Sequence, residues 1–184
     1  MYYIDYGLDN KLSSALDHLN SVLAKIRTGR ASASFVEDIQ VSAYGSKMPI
    51  NQLATISIPE PRQITISVWD QNIVDDVVNA IVASNLGVTP IRDGNNIRLN
   101  FPPLTEERRK EIAKLVSQEG ENTKVTIRNI RREAIKFVET KGKEENISEE
   151  LIDKNIEEIE KIVKNYISKV DDIIKSKIDD IMHV

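Results

Sequence analysis

Ile152-Asp153-Lys154-Asn155-Ile156-Glu157-Glu158-Ile159-Glu160-Lys161-Ile162-Val163 sets apolar residues at intervals of four, three and four, and Tyr166, Val170 and Ile173 carry the alternation onward. That spacing is one stripe of a helix of the helix-packing type. Ser148 stands where an N-cap belongs, with Glu149 and Glu150 in the positive first turn. Ile147 and Ile152 occupy the two positions of a hydrophobic staple. A helix of about 35 residues follows, roughly 50 Å long at ~1.5 Å per residue.

A stripe this long needs cover. Leu12, Leu16, Leu19, Leu23 and Ile26 repeat its spacing and stop at Thr28-Gly29-Arg30, where glycine can end a helix. A third helix is predicted from Thr105, with Glu106 and Glu107 in its first turn, to about Lys141, where Gly142 breaks it. Gly120 inside it costs about 1 kcal/mol relative to alanine and predicts a local bend. Three such helices bury one another as a long antiparallel bundle, a rod made of residues 1–30 and 104–184.

Between the first two helices the period changes to two. Ile39, Val41 and Ala43 alternate with polar residues, as do Ile56 and Ile58, then Ile64, Ile66 and Val68, then Ile97, Leu99 and Phe101. Tyr44-Gly45-Ser46 and Asp93-Gly94-Asn95 punctuate them as turns. One helix interrupts, with Ile73, Val77 and Ile81 on one face and Leu86-Gly87 at its end. The fold class is therefore α+β with two domains: the rod, and an inserted β/α/β head at residues 31–103. Gly29, Arg30 and Ala31 lead into the head, and Pro102, Pro103 and Leu104 lead out. Two short connections make these six residues hinge candidates, with bending expected at residues flanking the prolines.

The chain has 184 residues and a formal charge of -4, which argues against a generic DNA coat or polybasic membrane binder. The charge is uneven. Residues 104–143 carry eleven Lys/Arg against seven Asp/Glu, a balance of +4, while residues 144–184 carry six against twelve, a balance of -6. Within the positive segment, Lys124, Arg128, Arg131 and Arg132 share one side of the helix, and Ile127, Ile130, Ala134 and Phe137 share another. Forked guanidiniums suit phosphate oxygens, so this face is read as a nucleic-acid backbone binder. A solvated charged face is the alternative. Arg108 and Arg109, on the first turn of the same helix, could bind alongside Arg27 and Arg30 or pair with Glu106, Glu107 or Glu111.

The remaining residues encourage no chemistry. There is no cysteine. His18 and His183 lack neighbours at metal-ligand spacing and are read as solvated. Arg27-Thr28-Gly29-Arg30 lacks the phosphate-loop pattern, and no nucleophile elbow is present. Asp75-Asp76 and Asp171-Asp172 are adjacent on helices and so do not face each other. Trp69 is read as a core or rim residue of the head, and Asp70 or Asn72 as a helix cap. Tyr2, Tyr3 and Tyr6 either pack on the bundle or stack on a ligand. No catalytic residue, metal or cofactor is predicted. No apolar run reaches ~20 residues, and no leader pattern opens the chain, so a soluble cytoplasmic protein without membrane contact is expected.

Five blocks, in order, resemble the ribosome recycling factor family: Lys25 to Ser32 (KIRTGRAS), Pro49 to Ala54 (PINQLA), Ala83 to Gly87 (ASNLG), Pro102 to Lys110 (PPLTEERRK) and Val125 to Ala134 (VTIRNIRREA). The resemblance spans essentially the whole chain, apart from a poor match over the first ten residues. Glu133 stands where the family more usually has aspartate. The resemblance implies an L-shaped, monomeric, non-enzymatic factor. It implies binding to the large ribosomal subunit after termination and, with elongation factor G and that factor's GTP hydrolysis, splitting of the ribosome into subunits. Residue by residue, Arg128, Arg131 and Arg132 match positions that hold rRNA phosphates, Arg27 and Arg30 match near the first junction, and Arg108 and Arg109 match at the second. Lys124 joins them from the helical wheel alone. The alternative is a coiled-coil protein-interaction module with no RNA role.

Overall fold

Eleven main elements follow one another in the computed structural model, which describes residues 1–183: α1 (Tyr2–Asp5), α2 (Leu8–Ala24), β1 (Gln40–Ala43), β2 (Ser46–Pro49), β3 (Ala54–Glu60), β4 (Gln63–Val68), α3 (Val74–Ala83), β5 (Ile91–Asp93), β6 (Asn96–Asn100), α4 (Glu106–Glu144) and α5 (Glu149–Met182). They divide into two units, one of Met1–Leu23 with Lys110–His183 and one of Ala24–Arg109.

The first unit is a three-helix bundle. Leu8, Leu12, Leu19 and Leu23 of α2 are buried, with Ile112, Val116, Ile127, Ala134 and Val138 of α4 and Ile159, Val163, Val170 and Ile181 of α5. Burying each such side chain contributes about 1.5–3 kcal/mol. Ser148 caps α5 as its position predicts, its hydroxyl accepting from the Leu151 N–H at 3.4 Å.

The glycines of α4 do not break it. α4 runs as continuous helix through Gly120 and Gly142, and both glycines are buried. A Cβ on Gly120 would lie 2.6 Å from Ile174 Cγ1, and one on Gly142 would lie 2.5 Å from Ile152 Cδ1. Each glycine is a notch that receives an isoleucine of α5. Gly142 therefore does not end the helix. Asn146 does, by taking φ +51, with its N–H on the Lys143 carbonyl and the Ile147 N–H on the Gly142 carbonyl, the Schellman arrangement.

At the N-terminus Tyr2 and Tyr6 engage the bundle. The Tyr2 N–H donates to Asn155 Oδ1 at 3.1 Å, and buried Asn155 donates in turn to the Leu151 carbonyl at 2.8 Å. Tyr6 lies against Phe137 with ring centroids 5.5 Å apart and donates its hydroxyl to Glu133 Oε2 at 2.8 Å. Burial first, then the Glu133 carboxylate, pushes the Tyr6 phenol up to about 12.

The second unit holds a β1–β2 hairpin and an antiparallel sheet ordered β3-β4-β6-β5. Tyr44 and Gly45 both have positive φ, +53 and +76, as a two-residue hairpin turn requires. Ile64 faces Leu99 and Ile66 faces Ile97 across β4 and β6. Together with Val41, Ile50, Val68, Val74, Val77 and Ile81 they form one buried cluster. Ile58, expected inward, is exposed because the β3–β4 register shifts between Ser57 and Glu60 and the alternation loses phase there. Strands β2 and β5 escaped the periodicity because neither buries a residue. Helix α2 ends at Ala24, short of the expected Thr28-Gly29. The Ser34 hydroxyl takes the Ala24 carbonyl at 3.2 Å. The compact unit thus includes residues 24–30 and 104–109 as well as the 31–103 expected of the head.

The notches predict a specific coupling. Gly120→Ala should destabilise the bundle by about 1–3 kcal/mol through overpacking, despite alanine's better helix propensity. In urea melts, the Gly120→Ala/Ile174→Ala pair should cost less than the sum of the two single changes. Simple additivity would show that no notch exists.

Candidate nucleic-acid interface

Lys124, Arg128 and Arg131 lie four and three residues apart on α4, and Glu160, Lys164, Ile167 and Asp171 follow the same spacing on α5. The stripes run antiparallel along one side of the α4–α5 seam. At one end Lys124 Nζ reaches Asp171 Oδ1 at 2.5 Å and Glu121 Oε1 at 3.5 Å. At the other, Arg131 Nε lies 2.9 and 3.0 Å from the two Glu160 oxygens, and Nη2 also donates to Oε1. The hydrogen bond from Arg131 holds the Glu160 carboxyl below its ordinary value, and Glu160 raises Arg131. The bond to Asp171 likewise raises Lys124. Two of the four cations on the basic face are therefore cross-links between helices.

The other two are not. Arg128 and Arg132 are exposed and have no acidic partner among the described residues. Arg128 lines an open groove of about 560 Å³ between α4 and α5, together with Arg131, Glu160, Lys161, Val163, Lys164 and Ile167. The α5 side of this groove was missed in the sequence, because an apolar stripe identifies the buried face of a helix but not which charged residues rise beside its partner.

Arg27 has a local task within the second unit. Its guanidinium donates to the Leu86 carbonyl and lies 5.3 Å from the Phe101 ring centroid and 5.9 Å from that of Phe35. Burial pulls its pKa down. Arg30 is exposed and borders a small recess of about 60 Å³ with Gly29, Phe35, Phe101, Pro102 and Leu104. Arg108 is exposed, and its N–H is capped by Thr105 Oγ1 at 3.1 Å; Arg109 is half-buried, and both engage neighbours.

All six hinge candidates fall inside the second unit. The Ala31 N–H donates to the Pro61 carbonyl at 2.6 Å, and Gly29 takes φ +89. Trp69 stands on the surface, 63% exposed, with its indole N–H on Thr55 Oγ1 at 2.9 Å. Asp70 is the cap, accepting from the Asn72 N–H, and the Tyr44 hydroxyl lowers its pKa. Both histidines are exposed, and among the described residues no group of three or more His, Asp or Glu could hold a metal.

Two tests follow from this geometry. Arg27→Ala should destabilise the second unit by about 2–3 kcal/mol, because the Leu86 carbonyl loses a charged donor and two rings lose their cation. Arg27→Lys should recover only part of it, since an ammonium lacks the planar fork; full recovery in thermal melts would show that charge alone matters there. The Arg131–Glu160 pair contributes at most about 1 kcal/mol, being more than one-third exposed. Because Glu160 is depressed in the folded state, that contribution is complete above the ordinary carboxylate range and is lost as pH falls below it. Glu160→Gln should therefore lose less stability than the native chain between neutral pH and pH ~3; identical acid profiles would show that the pair is energetically silent.

Comparison with known proteins bears on the whole chain. The family model described as "Ribosome recycling factor" matches residues 19–182. A ribosome-recycling factor of Xylella fastidiosa (strain 9a5c) is 46% identical over 181 residues, covering 98% of each chain. One from Natranaerobius thermophilus is 44% identical over 173 residues, covering 94% of each. A solution structure of the ribosome recycling factor superposes with a TM-score of 0.80 at 39% identity, covering 100% of this chain and 99% of that one. Another similar structure, with a TM-score of 0.67 and 36% identity over 99% of this chain and 100% of that one, comes from models of the T. thermophilus ribosome recycling factor and the E. coli elongation factor G bound to the E. coli post-termination complex. A basic helix face, an α+β chain of two units and a match over nearly its full length lead to one conclusion: this chain belongs to the ribosome recycling factor family.

Proposed function

We propose that the protein binds the post-termination ribosome through rRNA of the large subunit and, with elongation factor G and that factor's GTP hydrolysis, separates the subunits for a new round of translation. It acts as a monomer in the cytoplasm and catalyses no covalent step of its own. The observation that carries this reading is the exposed pair Arg128 and Arg132 on a chain of this family. The similar structure drawn from a post-termination complex that also holds elongation factor G supports the choice of partners.

In this reading Arg128 and Arg132 hold phosphates directly, with Arg30, Arg108 and Arg109 as further contacts. Lys124 and Arg131 contribute from positions already fixed by Asp171 and Glu160. Arg27 serves the binding surface by keeping its own unit folded. Elongation factor G supplies the push, and freedom where the chain passes between the units, on the side of the hinge candidates Gly29, Arg30, Ala31, Pro102, Pro103 and Leu104, lets one unit turn while the other stays anchored. None of the helices among the described residues is long and apolar enough to cross a membrane, and the proposed work involves none.

The decisive measurement is subunit dissociation followed by light scattering. The protein should split post-termination ribosomes when elongation factor G and GTP are both present and should fail when either is omitted. Arg128→Ala and Arg132→Ala should each weaken binding to large subunits and lower the slope of log affinity against log salt by about 0.7–0.9, one phosphate contact. Native affinity and slope in both variants would remove the basic face from the mechanism.

A further inference from the structure

Three charged steps cross the α4–α5 seam on the basic side. The outer two, Lys124 with Asp171 and Arg131 with Glu160, join opposite charges. The middle one does not. Arg128 of α4 and Lys164 of α5 line the same groove, both are exposed, and neither has an acidic partner among the described residues. Lys161, at the same groove, is held by Glu158 at 2.8 Å. Like charges lining one groove repel, and a groove of about 560 Å³ leaves room for the group that would relieve them.

We infer that this groove is a second phosphate site, in which Lys164 of α5 joins Arg128 of α4 on one backbone phosphate of rRNA, and that Glu160 is its internal competitor. A carboxylate gripping a guanidinium through two oxygens offers what a phosphate offers. Glu160 holds Arg131 in that way at the edge of the groove. An arriving phosphate must share or displace it before Arg131 can add to the site. Lys164 thus supplies affinity and Glu160 limits it. The chemistry selects an RNA backbone over a neutral or apolar partner: the groove offers cations above a floor of Val163 and Ile167.

The inference rests on rRNA being the partner, and the experiment separates the two. Binding of the full chain to purified large ribosomal subunits, and to protein-free large-subunit RNA, is measured across a salt series. Lys164→Gln should weaken both by about tenfold, the size of one charge-assisted contact, and lower the salt slope by about 0.7–0.9. Lys164→Arg should retain affinity. Lys169→Ala removes the same charge from α5 at a different groove, beside Asp9 and Tyr166, and should change little. Glu160→Gln should bind several-fold more tightly than the native chain, with a steeper slope. A Lys164→Gln variant indistinguishable from Lys169→Ala, or a Glu160→Gln variant no tighter than the native chain, overturns the groove assignment and leaves the proposed function standing. Losses on intact subunits but not on protein-free RNA would give the groove to an acidic protein surface and overturn it too. A native chain whose binding ignores salt would overturn the rRNA reading and the groove together.

Discussion

The register between α4 and α5 is the constraint on which the rest of the bundle depends. Gly120 receives Ile174, and Gly142 receives Ile152. The two glycines are 22 residues apart, and so are the two isoleucines, running the other way. Two helices that fit at two notches ~33 Å apart cannot slide by a turn without driving a Cβ or a backbone into an isoleucine at both. Glycine costs each position about 1 kcal/mol of helix propensity, and the return is a fixed alignment. That alignment sets every charged step along the seam. A slip of one turn would carry Arg131 away from Glu160 and Lys124 away from Asp171, breaking both cross-links.

The same alignment explains how a chain of net charge -4 presents a basic face. The excess acid sits in α5 and the excess base in α4. Placed side by side, they could have cancelled along their length. On the basic side they cancel at two steps, Lys124 with Asp171 and Arg131 with Glu160. Arg128 shares its groove with Lys164 of α5, and Arg132 is exposed. The free cations are therefore a consequence of register as much as of composition, and net charge alone would have pointed away from a nucleic-acid partner.

The apolar pattern carried most of the fold because burial is periodic. The α5 stripe, the Ser148 cap and the alternation of Ile64, Ile66 and Val68 were all legible for that reason. What the pattern could not carry were features without a period of their own. Strands β2 and β5 hold no fully buried residue, a bulge exposed Ile58, and Gly142 read as a helix end because a lone glycine signals either a terminus or a close approach. The basic face was legible as a row on one helix, but its division into cross-links and free cations was not. Ion pairs such as Arg131–Glu160 join positions 29 residues apart, and no local spacing encodes them. Arg27 illustrates the same limit. Its place among basic residues suggested phosphate, and nothing in that local pattern foretold the Leu86 carbonyl and two phenylalanine rings beside it.

In the proposed role, a factor that docks repeatedly needs release as much as grip. Each unopposed arginine or lysine on a polyanion adds affinity through counterion release, and a row of four would press towards a complex that does not turn over. Pairing two of the cations inside the bundle reduces that pull without removing the positive field that guides approach. Fixing the α4–α5 register thus sets the pattern of the face: the glycine notches decide which cations meet a carboxylate across the seam and which do not.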